Sequence, residues 1–312
     1  MNKPLIRRGD SLLERAAEVY DFSAHLRASQ IPVEALQPAA APAPTPAPAA
    51  PAPAAPQATA PVVVAPPVAG RHAAIDRAML AENGLLVPGA PIGVLAEEFR
   101  LAKRHLLLTA RQLGHDAKAR TILVCSAKPD EGKTYCAVNL AISLAAERDL
   151  RVLLVDADFA KPDVVARLGV EDGPGLLDAL GDPSLDVERC VVATDIPNLS
   201  LLPAGTGSIE DTELVASDRT SALIAQLLAA DPERVIVFDS PPALAASPAA
   251  VLALHVGQVM LVVRADRTSE NEIRESVQRL EGCEHIQLLL NQVAFAPGGA
   301  RFGSYYGQEG GQ

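Results

Sequence analysis

The segment Ala127-Lys128-Pro129-Asp130-Glu131-Gly132-Lys133-Thr134 ends in a glycine, a lysine and a hydroxyl residue, the residue types that hold a polyphosphate. It follows the apolar run TILVCS and opens the helical stretch YCAVNLAISLAAE, so the turn lies where a helix N-terminus points free N–H groups at an anion. In such a turn main-chain amides cradle the phosphates, Lys133 supplies a point charge for the outer oxygens, and Thr134 offers its hydroxyl to magnesium. Tyr135, next inside the helix, closes the candidate binding stretch. The usual pattern opens on glycine, whereas this chain has Ala127, larger by one methyl group. The reading is a P-loop for ATP and Mg2+.

Two further runs end in acids. VLLVDADFAKP places Asp156 and Asp158 after one apolar run, and VIVFDSPP places Asp239 after another, just before Pro241 and Pro242. Aspartates at the carboxyl ends of parallel strands converge on the crevice where α/β sheets bind ligands, and there they coordinate hydrated magnesium. Any one of them alone serves equally well as a turn or cap residue. Together, around one phosphate loop, they read as a metal and catalytic set, with Thr134, Asp156 and Asp239 toward the metal.

The elements that must position these residues alternate. ARTILVCSA, RVLLVDAD, NLSLLPAG, RVIVFDSPP, QVMLVVRAD and IQLLLNQ are short apolar runs separated by helical stretches. This pattern predicts an α/β fold of the P-loop NTPase type, a mostly parallel sheet with helices on both faces. Upstream, helices are expected over Ala73–Asn83, with Gly84 ending it, and over Ile92–Leu113.

The rest of the chain has other properties. Ser11 to about Arg27 carries Leu12, Leu13, Ala16, Val19 and Tyr20 at helical spacing behind an S-x-x-E capping box, and so reads as an amphipathic helix. It serves either for docking on its own catalytic domain or for a partner. Residues 37–70 are rich in alanine and proline, without a charged or aromatic residue, the composition of a disordered linker. The prolines forbid a membrane helix there, and about 3.1 Å per residue of polyproline II gives it a reach on the order of 100 Å. The domain boundaries expected are 1–36, 37–71, 72–295 and a glycine-rich flexible tail, 296–312.

A net charge of −11 over 312 residues excludes a partner recognised through nucleic-acid phosphates, which requires a basic surface. The four cysteines show neither a CxxC pair nor zinc-ligand spacing, so neither a disulfide framework nor a metal site is expected of them. The N-terminus has no apolar stretch behind its charges, so no signal peptide is expected.

The three motifs, with ELVAS at Glu213 to Ser217, resemble those of the bacterial tyrosine kinases of exopolysaccharide export, among them the autokinases associated with exosortase gene clusters. In that family SAxPxEGKT is the Walker A segment, hhhDADxxxP the Walker A′ and hhxDxPP the Walker B. The resemblance implies ATP-dependent tyrosine autophosphorylation. Asp156 would be the base toward the tyrosine hydroxyl, Asp158 a support of the metal site, Asp239 the holder of magnesium's water shell, and Asn291 an adenine contact. Glu97, Arg100 and Lys103 resemble the family's E-x-x-R-x-x-R oligomerisation motif, with lysine in the last place. Tyr305 and Tyr306 would be the phosphoacceptors.

The resemblance further implies a homo-oligomer on the inner face of the plasma membrane. It also implies a polysaccharide co-polymerase or chain-length determinant as membrane partner, and a cognate phosphatase. The chain departs from the family pattern at Ala160 and Lys161, where an arginine is usual two residues after the second aspartate, and at Asp130, where glycine is frequent. Lys128 falls at the signature lysine of the partitioning and division-site ATPases. A non-kinase dimerising ATPase switch and a weakly active nucleotide-dependent adaptor therefore remain as alternatives.

Overall fold

Four of the apolar runs, TILVCS, RVLLVD, RVIVFD and QVMLVVR, are buried on both faces along almost their whole length, which fits central strands of a parallel sheet. In the computed structural model they are β2 (Thr121–Ser126), β3 (Arg151–Asp156), β6 (Arg234–Asp239) and β7 (Gln258–Arg264). With β1 (Arg71–Ala73), β4 (Val192–Thr194), β5 (Leu199–Leu202) and β8 (Ile286–Asn291) they form one sheet in the order β1-β4-β5-β3-β6-β2-β7-β8. All pairs are parallel except β4 with β5. The structure describes residues 70–114, 116–207 and 211–293. The expected N-terminal helix, the body of the linker and the tail with Tyr305 and Tyr306 lie outside them.

The pleat sorts side chains to two layers. Ile122 and Val124 of β2 face a layer with Phe99, Leu106, Leu140 and Leu144, which comes from α2 (Val94–Leu113) and α3 (Lys133–Ala145). Leu123 and Cys125 face the other, where α7 (Asp218–Ala230) and α8 (Pro248–Ala253) contribute Leu223, Leu227 and Leu252. Nearly every residue of α3 is buried, because this helix lies between the sheet and α2. The remaining helices are α1 (Arg77–Glu82), α4 (Val164–Leu168), α5 (Leu176–Gly181), α6 (Asp211–Val215) and α9 (Glu270–Arg279).

The first expected helix starts later than the sequence implies. Residues Arg71–Ala73 pair with β4 as an edge strand, the Arg71 guanidinium donates to the carbonyls of Glu171 and Asp172, and α1 begins only after Asp76 caps it. Arg71 thus belongs to the folded sheet and not to the linker. Among the described residues no helix is long and apolar enough to cross a membrane, and Cys125, Cys136, Cys190 and Cys283 are all buried free thiols.

Candidate nucleotide site

Register places the acids together: β3 pairs with β6 so that Asp156 lies opposite Asp239, and β2, between β6 and β7, delivers the loop that follows it. The base of that loop is stitched to the strand end beside it, since the amides of Ser240, Ala243 and Leu244 donate to the carbonyls of Val124, Ser126 and Ala127. Ala127 is buried, so its methyl group is accommodated. Gly132 has φ +98°, and a Cβ there would stand 2.2 Å from the Asn291 amide nitrogen, so only glycine closes the turn before α3.

Inside the cradle the Lys133 ammonium donates to Asp158 at 2.5 Å and to the Thr134 hydroxyl at 3.2 Å. Burial alone would lower its pKa, but Asp239, Asp158 and Asp156 outweigh that and hold it above the ordinary lysine range. Asp239 is fully buried, and neither of its carboxylate oxygens meets a well-aligned hydrogen-bond donor among the described residues, although the Thr134 hydroxyl lies near enough to favour its charge. Burial pushes its pKa up to about 7 against the pull of Lys133 and Thr134. A buried carboxylate with two unused oxygens beside a threonine hydroxyl and a lysine fits a hydrated divalent cation, which would supply the missing donors.

Asp156 is occupied differently. Its oxygens accept the amides of Asp158 at 3.2 Å and of Asp163 and Val164 at 3.0 Å, fixing the loop that carries Asp158 toward the lysine. Burial pushes its carboxyl up to about 6, with those amides pulling the other way. Asp130 has φ 62° and a side chain 81% exposed, some 3.8 Å from the Lys161 ammonium, so its charge points out of the cradle. Lys128 is held within the chain by Glu272 at 2.8 Å.

Other expected site residues make contacts outside the cradle or on its rim. The Tyr135 hydroxyl donates to the Gly84 carbonyl at 2.9 Å, outside the cradle. Asn291 lies over the loop with its amide donating to the Glu131 carbonyl. Glu97 and Arg100 pair at 2.5 Å on the surface of α2, but Lys103 turns inward to the Ser143 carbonyl and Glu147. At 100° per residue, each step of three rotates the side chain about 60° around the helix, so the third charge leaves the exposed face. The sequence reading missed Arg264, Thr268 and Glu272, which meet the loop from the end of β7 and the start of α9. Their one sequence signal was the Ser269-x-x-Glu272 capping box.

A cleft of about 480 Å³ opens beside the loop, lined by Lys128, Pro129, Glu131, Arg264, Asp266 and Arg267. A larger apolar groove of about 550 Å³ lies between the start of α2 and the end of α3 and contains none of the convergent acids. The chemistry therefore belongs to the loop and not to the larger cavity.

A family model described as "AAA domain" matches residues 119–288, from the turn before β2 into β8. The chain belongs to that family. Tyrosine-protein kinase Wzc of Salmonella typhimurium is 28% identical over 230 residues, which is 73% of this chain and 31% of that protein. The succinoglycan biosynthesis transport protein ExoP of Rhizobium meliloti is 36% identical over 143 residues, 45% of this chain and 17% of ExoP. The chain thus spans a third or less of the length of these two relatives. The crystal structure of the VpsO kinase domain superposes with a TM-score of 0.52 at 31% identity, over 62% of this chain and 97% of that one. These likenesses agree with the resemblance to bacterial tyrosine kinases carried by the motifs, and the shared fold is a parallel-sheet P-loop domain.

Proposed function

We propose that this AAA-domain protein is an ATP- and magnesium-dependent protein-tyrosine autokinase acting in exopolysaccharide biosynthesis or export. The observation that carries the reading is the buried Asp239 carboxylate, without a well-aligned hydrogen-bond donor among the described residues, beside Lys133 and Thr134 of the P-loop. The superposition of part of this chain on 97% of a domain named as a kinase and the succinoglycan biosynthesis in ExoP's name support it.

In this reading the loop amides and Lys133 hold the triphosphate, and Thr134 and Asp239 hold magnesium and its water shell. Magnesium, when bound, neutralises the charge that spreads over the transferred phosphoryl group. The acceptor tyrosine oxygen bonds to the γ-phosphorus, the bond to the ADP oxygen breaks, and the phenolic proton passes to a carboxylate, Asp156 by family resemblance. Asp158, which pairs with Lys133 in the unliganded protein, would support the metal site by family resemblance. Tyr305 and Tyr306 are the proposed acceptors. The protein is proposed to act as a homo-oligomer at the inner face of the plasma membrane, held there by a polysaccharide co-polymerase or chain-length determinant and reset by a phosphatase.

The test is to incubate the full chain with ATP and Mg2+ and to measure phosphotyrosine and free phosphate separately. Phosphotyrosine that disappears in the Tyr305→Phe/Tyr306→Phe double variant is expected. Phosphate release without phosphotyrosine selects the dimerising ATPase switch, and neither product selects the adaptor.

A further inference from the structure

Glu131 is a carboxylate within the phosphate loop and is only 2% exposed. A buried charge so close to bound phosphates would repel them and would be costly by itself, unless its oxygens are fully engaged. They are engaged on both sides. One oxygen accepts the main-chain N–H of Lys128 at 2.9 Å, which closes the loop upon itself. The other accepts the Thr268 hydroxyl at 2.5 Å, from a residue 137 positions away in the turn between β7 and α9. The Thr268 oxygen in turn accepts the Arg264 N–H at 3.0 Å, so its donor and acceptor capacities are both used, and the Arg264 guanidinium reaches the Asp130 carbonyl at 3.1 Å.

From this chain of contacts we infer that Thr268 is a positioning residue for the nucleotide site, acting through Glu131. The β7–α9 turn holds the loop in its phosphate-receiving shape before any nucleotide arrives. A P-loop binds through N–H groups that must already point at the phosphates, and each loop dihedral left free in the empty protein has to be fixed at the moment of binding. The Thr268–Glu131–Lys128 link fixes the loop in advance and ties it to the turn that follows β7. The inference rests on the nucleotide-binding part of the proposed function and is independent of whether the phosphate is transferred to tyrosine or to water.

The experiment measures the affinity of the full-length protein for fluorescent ADP with Mg2+, together with its thermal midpoint. Thr268→Val keeps the shape and removes the hydroxyl, and it is expected to weaken binding about tenfold, the scale of one hydrogen bond to a charged group. Thr268→Ser is expected to restore affinity to within about twofold. In a Glu131→Met background, which leaves no acceptor for the hydroxyl, Thr268→Val is expected to cost nothing further, because the two act as one unit. In the unliganded wild type the Lys128 amide is expected to exchange slowly with solvent, a readout that needs no variant.

Wild-type affinity in Thr268→Val with only a lower midpoint would make Thr268 merely structural, and full additivity with Glu131→Met would break the link between them. Fast exchange at Lys128 would show that the loop is not held in advance. Any of these overturns the inference while leaving the proposed function standing, whereas a wild type that binds no ADP overturns the proposed function itself.

Discussion

The Lys133 ammonium lies 2.5 Å from Asp158, while the neighbouring Asp239 carboxylate has no well-aligned hydrogen-bond donor among the described residues. The lysine that a phosphate loop needs is thus parked on one acid, and the acid suited to a metal is left open. Lys133→Met is expected to abolish nucleotide binding. It should also lower the thermal midpoint, since it strands Asp158, whose side chain is 5% exposed, without its cation, a loss of about 3 to 5 kcal/mol for a broken buried pair. Calorimetric titration with ADP and a thermal melt check both effects. Unchanged nucleotide affinity would remove the P-loop assignment.

Asp156→Asn separates binding from transfer less cleanly than the motif alone implies. The carboxylate accepts three main-chain amides with its two oxygens, and an asparagine must turn an NH2 group toward at least one of those donors. Phosphotransfer is expected to fall by about 10²-fold or more with the loss of a base. Affinity for nucleotide should fall far less, and the thermal midpoint should drop by several degrees because a buried donor has lost its acceptor. Equal losses in affinity and transfer would instead assign Asp156 to the metal.

Much of this site is legible in the sequence, and the parts that are not share a physical cause. Apolar runs such as RVLLVD and RVIVFD announce central strands, and an aspartate at the end of each falls at the crevice by topology alone. β1 and β4 span only RHA and VAT, too short for any periodicity to register. Lys103 has the charge pattern of a surface residue, and only the packing of α2 on α3 turns it inward. The Glu131–Thr268 contact joins residues 137 positions apart, which local pattern cannot reveal.

Asp239 sets a pH dependence. Its pKa is raised by burial from the ordinary 3.8 to about 7, so between those values the folded, unliganded protein holds a proton that the unfolded chain has released. Stability of the unliganded protein is therefore expected to fall as pH rises through that window. Magnesium and nucleotide favour the ionised carboxylate and oppose the loss. The rise in thermal midpoint on adding MgADP should be larger at pH 8 than at pH 6. An equal rise at both would mean that Asp239 does not exchange its proton for the ion.

The Asp130 side chain, 81% exposed, faces away from the cradle, although glycine is the frequent family residue there. At φ 62° an aspartate is tolerated better than most side chains, and glycine is freer still. Asp130→Gly is expected to change ADP affinity by less than about threefold, since an exposed charge at that distance is screened by solvent. A gain of tenfold or more would show that the carboxylate repels the phosphates after all.

Glu97, Arg100 and Lys103 were expected to act as one oligomerisation patch, and their geometry divides them. Arg100, with its side chain 46% exposed, is available to a second subunit, whereas Lys103 donates to the Ser143 carbonyl at 2.8 Å and pairs with Glu147 at 2.6 Å, anchoring α2 to the end of α3. Arg100→Glu is therefore expected to shift the sedimentation profile toward smaller species with a thermal midpoint close to wild type. Lys103→Ala removes a buried cation from a main-chain acceptor and should cost about 1.5 to 3 kcal/mol, read as a midpoint lower by several degrees. At temperatures where that variant is still folded, its assembly should match wild type, because the helix face that meets a neighbour is unchanged. If Lys103→Ala melted like wild type yet failed to assemble, the lysine would have to swing outward in the oligomer, and its inward contacts would belong to the isolated subunit alone.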